Sequence, residues 1–124
     1  MPKKIITESE YEIMKILWDK TKPVSLGEIL GELDDKWVRN TVGTMLTRLC
    51  EKGVVSYETK GKSYLYYATL NKKAYSIDET KTFLSKLYDG SIGKMIASLY
   101  ESREITDDEI KILREIINKG EENK

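Results

Sequence analysis

Directly after Gly53 the hydrophobic period of this 124-residue chain switches from helical to strand-like, and from Asn71 it switches back. Val54-Val55-Ser56-Tyr57 and Ser63-Tyr64-Leu65-Tyr66-Tyr67-Ala68 are β-branched and aromatic runs. Between them lies Glu58-Thr59-Lys60-Gly61-Lys62, a turn segment with a glycine suited to positive φ. The pattern predicts one β-hairpin with a basic tip, set between helices. The element order it implies is three helices, a hairpin and three more helices.

The helices carry their own start signals. In three places a hydroxyl residue is followed three positions later by glutamate: Thr7-Glu8-Ser9-Glu10, Ser25-Leu26-Gly27-Glu28 and Thr106-Asp107-Asp108-Glu109. In such a capping box the hydroxyl accepts a first-turn N–H and the carboxylate reaches back to the cap's own N–H. The first box precedes a stripe of Tyr11, Met14, Leu17 and Trp18, the second Leu26, Ile29, Leu30 and Leu33, the third Ile110, Leu113, Ile116 and Ile117. A further helix is predicted from about Trp37, with Val38, Val42, Met45, Leu46 and Leu49 as its inner face and Lys52-Gly53 as its stop. Asn40, Gly43, Thr44, Thr47 and Glu51 point away from that face, with Thr41 and Arg48 at its edge. Past Asn71, one helix is predicted to end near Asp89-Gly90 and another to run over 91–100.

Two helices joined by a tight turn, the second with a small, hydrogen-bonding outer face, followed by a basic hairpin, describe a winged helix-turn-helix. The major groove admits one α-helix, whose outward residues near its N-terminus reach base edges. Asn40 suits an adenine edge, the methyls of Thr41 and Thr44 suit thymine, and Arg48 suits phosphate or guanine. Lys60 and Lys62 at the hairpin tip suit phosphate. Overall charge is balanced, with 21 basic and 21 acidic residues. Between Lys36 and Lys62, however, six cations face two anions, while the segment 71–124 holds 10 cations and 11 anions. Positive charge is thus concentrated on the reading helix and wing, where phosphate contacts give salt-sensitive affinity. The same order of elements also fits a winged-helix regulator released by a small molecule, or a winged helix that binds protein.

Catalysis is disfavoured by what the chain lacks. Having no histidine removes the Ser-His-Asp and Cys-His systems and two-histidine zinc sites. A lone Cys50 removes internal disulfides and paired-cysteine metal sites, and it reads as core packing. No metal and no cofactor are expected. The apolar stretch after the charged start is only Ile5-Ile6, too short for a signal peptide, and no run approaches a membrane span. A cytoplasmic protein without membrane insertion is the expectation.

These residues resemble the penicillinase and methicillin-resistance repressors, the BlaI/MecI family. The resemblance lies in the run from Ile6-Thr7-Glu8-Ser9-Glu10-Tyr11 to Lys15-Ile16-Leu17-Trp18, and in Trp37-Val38-Arg39-Asn40-Thr41-Val42-Gly43-Thr44-Met45-Leu46-Thr47-Arg48-Leu49. It continues in Glu51-Lys52-Gly53 and Tyr88-Asp89-Gly90-Ser91, and spans about residues 5–119. It implies a homodimeric repressor on a palindromic, double-stranded operator of a β-lactam-resistance operon. It also implies that Asn40, Thr41, Gly43, Thr44 and Arg48 read DNA. Several members carry a basic residue where this chain has Gly43. The family is released when a membrane sensor triggers proteolysis in the carboxyl-terminal domain, at an asparagine–phenylalanine bond in some members. Counting back from Asp108-Glu109-Ile110 puts that bond at Ser98-Leu99, neither of which matches, with neighbouring Tyr100 as a second candidate. Copper-responsive relatives end in cysteine pairs, which Gly120-Glu121-Glu122-Asn123-Lys124 lacks.

The expected fold is mainly α with a small β-hairpin: an N-terminal winged helix-turn-helix over 1–70 and a C-terminal three-helix dimerisation domain over 71–124. A segment of that second length buries too little surface to be comfortable alone. Phe83, Leu87, Ile92, Met95, Ile96, Leu99, Ile110, Leu113 and Ile117 are the residues expected to meet a second copy.

Overall fold

The computed structural model describes residues 5–123. Residues 1–4, on which the targeting argument partly rests, and residue 124 lie outside them. The elements are α1 (Glu8–Asp19), α2 (Leu26–Glu32), α3 (Arg39–Glu51), β1 (Val55–Lys60), β2 (Ser63–Ala68), α4 (Lys72–Tyr88), α5 (Ile92–Glu101) and α6 (Asp107–Glu122). This is a winged helix-turn-helix followed by further helices. The chain forms two compact units, 1–76 and 77–124, with the division falling inside α4.

All three capping boxes form. The Thr7 hydroxyl accepts the Glu10 N–H at 3.2 Å and the Glu10 carboxylate accepts the Thr7 N–H at 3.0 Å. Ser25 with Glu28 and Thr106 with Glu109 repeat the arrangement. Two helices start on single caps instead, Asn71 accepting the Ala74 N–H and Ser91 the Lys94 N–H.

Residues 1–76 hold one core. Ile13, Met14 and Leu17 of α1, Ile29 of α2, and Val42, Met45, Leu46 and Leu49 of α3 are buried together, closed below by Val24, Val54 and Val55. The buried face of α1 is therefore centred on Ile13 and Met14. Tyr11 and Trp18 sit at its edge, in an aromatic cluster with Tyr75, and the Trp18 indole N–H donates to the Leu70 carbonyl at 2.8 Å.

The hairpin is tighter than its sequence suggests. β1 runs on to Lys60, which pairs with Ser63, so only Gly61 and Lys62 form the loop. Gly61 has φ +63°, positive at the first loop position alone, the pattern of a type II′ turn. The backbone ladder can extend because Glu58 and Thr59 pair with Leu65 and Tyr64 without burying either charge or hydroxyl. Val24, in the loop before α2, adds a short bridge to the other edge of β2, exchanging both backbone hydrogen bonds with Tyr66 at 2.9 and 2.7 Å.

In residues 77–124, Leu84 is the only fully buried large apolar side chain among the described residues. Phe83, Leu87, Ile92, Ile112, Ile116 and Ile117 are each about half exposed. No helix among the described residues is long and apolar enough to cross a membrane.

Candidate nucleic-acid interface

The turn between α2 and α3 sets how α3 is presented. After Leu33, Asp34 and Asp35 both take left-handed conformations, φ 48° and 60°. Short polar side chains tolerate that region better than most. Both acids lie in the turn ahead of α3. Two further residues follow before Val38, so α3 begins at Arg39 and not near Trp37. Val38 is its N-cap, extended and 70% exposed, although its spacing assigns it to the inner face. Periodicity holds only once the backbone is helical, and Val38 is one residue short of that. A valine offers no side-chain acceptor, so the first-turn N–H groups of α3 have no side-chain cap. Such a helix end attracts phosphate.

At its other end α3 stops by a Schellman motif. Gly53 takes φ +76°, and the Val54 N–H reaches the Leu49 carbonyl at 3.2 Å, both side chains being buried. The inner face of α3 is thereby pinned at Val42, Met45, Leu46 and Leu49. Asn40, Thr41, Thr44, Thr47 and Arg48 are all exposed on the outside. Thr44 donates its hydroxyl to the Asn40 carbonyl and Thr47 to the Gly43 carbonyl, each at 3.0 Å. Those hydroxyls are committed to the helix, which leaves the methyl groups for apolar contact. Thr47, outward-facing by its spacing but not among the residues expected to read DNA, thus has the same presentation as Thr44. A Cβ added at Gly43 meets nothing within 4 Å, so this glycine leaves the outer face open to close approach.

The charge of this face is sparer than the sequence count. Lys36 is held by Glu12, at 2.8 Å, and Lys52 by Glu10, at 2.5 Å. Both carboxylates come from α1, outside the stretch in which the cations are concentrated. Arg39, Arg48, Lys60 and Lys62 remain as exposed cations. Lys52 and Glu10 act on architecture instead. Glu10 is 2% exposed, and its Oε1 receives both the Thr7 N–H and the Lys52 ammonium. Burial pushes its carboxyl upward, but the hydrogen bonds from Lys52 and Thr7 outweigh it and the net shift is below 4.5. This pair ties the start of α1 to the C-cap of α3. It has no signature in local periodicity, because the partners are 42 residues apart.

The wing adds Lys60 and Lys62, exposed at its tip. Its two faces differ: Tyr57, Thr59, Tyr64 and Tyr66 share one, and Glu58, Leu65 and Tyr67 the other. Cys50, half-buried on α3, packs against the core next to the hairpin. Burial pushes its thiol up, with Glu51 adding to the shift, as suits a packing residue rather than a reactive one. Ser98 and Leu99 lie inside α5, within its last turn, and both are exposed. The described residues contain no group of histidine, cysteine or acidic side chains that could hold a metal.

Comparison with known proteins agrees with this architecture. The family model described as penicillinase repressor matches residues 6–119. The methicillin resistance regulatory protein MecI of Staphylococcus aureus is 31% identical over 116 residues, covering 92% of this chain and 94% of MecI. The solution structure of the DNA-binding domain of the repressor BlaI superposes with a TM-score of 0.52 at 29% identity, covering 60% of this chain and 94% of that domain. The Bacillus licheniformis BlaI monomer in complex with the blaP half-operator gives 0.50 at 29% identity over the same shares. A winged helix with an outward-facing, side-chain-uncapped α3, matched by a family model over nearly its whole length, is a DNA-binding regulator and not an enzyme: the chain belongs to the penicillinase repressor family.

Proposed function

We propose that this chain is a cytoplasmic repressor that binds, as a homodimer, a palindromic operator of a β-lactam-resistance operon. Residues 1–70 act as the DNA-binding part and 71–124 as the dimerisation part. The observation that carries the reading is the outer face of α3. From Arg39 to Arg48 it bears two cations, an amide, three threonines and a glycine, and no carboxylate. In the groove, Asn40, Thr41 and Thr44 meet base edges, Gly43 permits close approach, and Arg48 takes phosphate or guanine. Lys60 and Lys62 bind phosphates beside the groove.

Dimerisation is supported by the apolar side chains that residues 77–124 leave uncovered. Phe83, Leu87, Ile92, Leu99 and Ile117 are 36–60% exposed, and Met95, Ile96, Ile110 and Leu113 half-buried. A hollow of about 340 Å³ between α5 and α6 is lined by Ile96, Tyr100, Ile105, Ile110, Leu113, Arg114 and Ile117. A second copy seated on these faces removes apolar surface from water and sets two α3 helices about 34 Å apart, or a multiple of that.

Release by proteolysis near Ser98-Leu99, driven by a membrane sensor, follows the family pattern. A protease needs extended chain, so the last turn of α5 must fray first. That turn ends on Arg103 in a left-handed conformation, φ 62°, a cost of roughly 1–2 kcal/mol that weakens the helix end. The test is titration of a labelled duplex from the gene's own upstream region at several salt concentrations. Specific binding that weakens steeply with salt is expected, and Lys60→Ala should flatten the log–log slope by about 0.9. No binding at low salt would refute the proposal.

A further inference from the structure

We propose that Tyr57 and Tyr64 of the wing are additional DNA-contacting residues, whose hydroxyls donate to backbone phosphates beside the segment read by α3. The inference rests on the reading of α3 as the recognition helix. Three observations carry it.

The first is exposure without core duty. Tyr57 and Tyr64 are 45% and 49% exposed, although rings of this size normally anchor a core or an interface. The second is pre-organisation. Their centroids lie 4.5 Å apart at an interplanar angle of 40°, and both rings also lie near Tyr66, at 5.9 and 6.4 Å. Rings already packed against each other lose little freedom when they bind, so most of each contact is retained as affinity. The third is orientation and charge. Tyr66 shares their face and packs against the core, where burial first and then nearby Cys50 of α3 raise its hydroxyl pKa. The tyrosine face is therefore the face of the wing that continues toward α3. Glu58, the one carboxylate of the two strands, lies on the opposite face, close to the loop over 20–23. The tyrosine face thus meets a polyanion with hydroxyl donors and no like charge, with Lys62 in the loop at its end and Lys60 beside the tip on the Glu58 side. Tyrosine hydroxyls on phosphate fix register and carry no sequence information.

The experiment compares full-length wild type, the Tyr57→Phe/Tyr64→Phe variant and the Lys60→Ala/Lys62→Ala variant on the same upstream duplex and on a scrambled duplex. Phenylalanine keeps both rings, and thermal melts monitor folding. The phenylalanine variant is expected to bind both duplexes about 5- to 30-fold more weakly, with its salt slope unchanged because neutral donors displace no counterions. The lysine variant should flatten the slope. Phosphate-ethylation interference gives a readout independent of stability, with two phosphates flanking the α3 segment losing interference in the phenylalanine variant alone. Unchanged affinity and interference in that variant, while the lysine variant binds more weakly, would overturn this inference and leave the reading of α3 intact. A loss confined to the upstream duplex would overturn it as well, by showing base readout. Failure of wild type to bind either duplex would overturn both.

Discussion

Breaking the Glu10–Lys52 pair should destabilise the DNA-binding unit unequally, depending on which partner is removed. The Glu10 side chain is 3% exposed and that of Lys52 31%. Glu10→Gln keeps a side chain that can still accept the Thr7 N–H, so the capping box survives and only the charge-assisted bond to Lys52 is lost. Such bonds contribute about 1.5–3 kcal/mol, and the ammonium left behind recovers part of its hydration, so the lower part of that range is expected. Lys52→Met strands a carboxylate inside the protein. The cost of breaking a buried pair is then about 3–5 kcal/mol, limited by protonation of the carboxyl. Urea unfolding of both variants and wild type, at one protein concentration because the proposed dimerisation would link stability to concentration, measures this directly. The carboxyl of Glu10 is lowered in the folded state, so its contribution is fully present above pH 4.5 and is lost as pH falls through the folded value. Wild type should therefore converge on Glu10→Gln in acid. A Lys52→Met variant as stable as Glu10→Gln, or a difference that does not change on acidification, would refute the reasoning.

Three other substitutions test backbone arguments. Gly43→Ala should stabilise α3 by about 1 kcal/mol, because the added Cβ has open space, while operator affinity falls if DNA approaches the helix closely; a melt and a titration read the two separately. Val38→Ser should add about 1 kcal/mol by supplying the missing cap at a residue already in extended geometry, and a melting temperature no higher than wild type would contradict it. Arg103→Gly should relieve about 1 kcal/mol of left-handed strain at the end of α5 and slow scission at Ser98-Leu99, read by a melt and by timed proteolysis.

Local chemistry was legible in the sequence wherever one segment sufficed. The three capping boxes announce α1, α2 and α6 because donors and acceptors lie three residues apart, and Gly53 marks the end of α3 by its φ. The outer face of α3 follows from its inner face. What spacing misses is set across the chain. The stripe in α1 includes Tyr11 and Trp18, yet Ile13 and Met14 take the centre because α3 packs there, and Tyr75 draws the two aromatic rings aside. Lys36 and Lys52 count toward a basic face in the sequence, but carboxylates of α1 occupy them. The tyrosine face of the wing becomes apparent only once register fixes which rings share a side.

The most direct test of the central claim is hydroxyl-radical footprinting of the gene's upstream region by wild type and by Asn40→Ala. The account predicts two protected segments related by a dyad, with centres about one helical turn or a multiple apart. Asn40→Ala should lose this pattern at concentrations where wild type shows it, while keeping salt-sensitive, unspecific binding. Protection that is absent at low salt, or identical in the variant, would contradict the claim that α3 reads the operator.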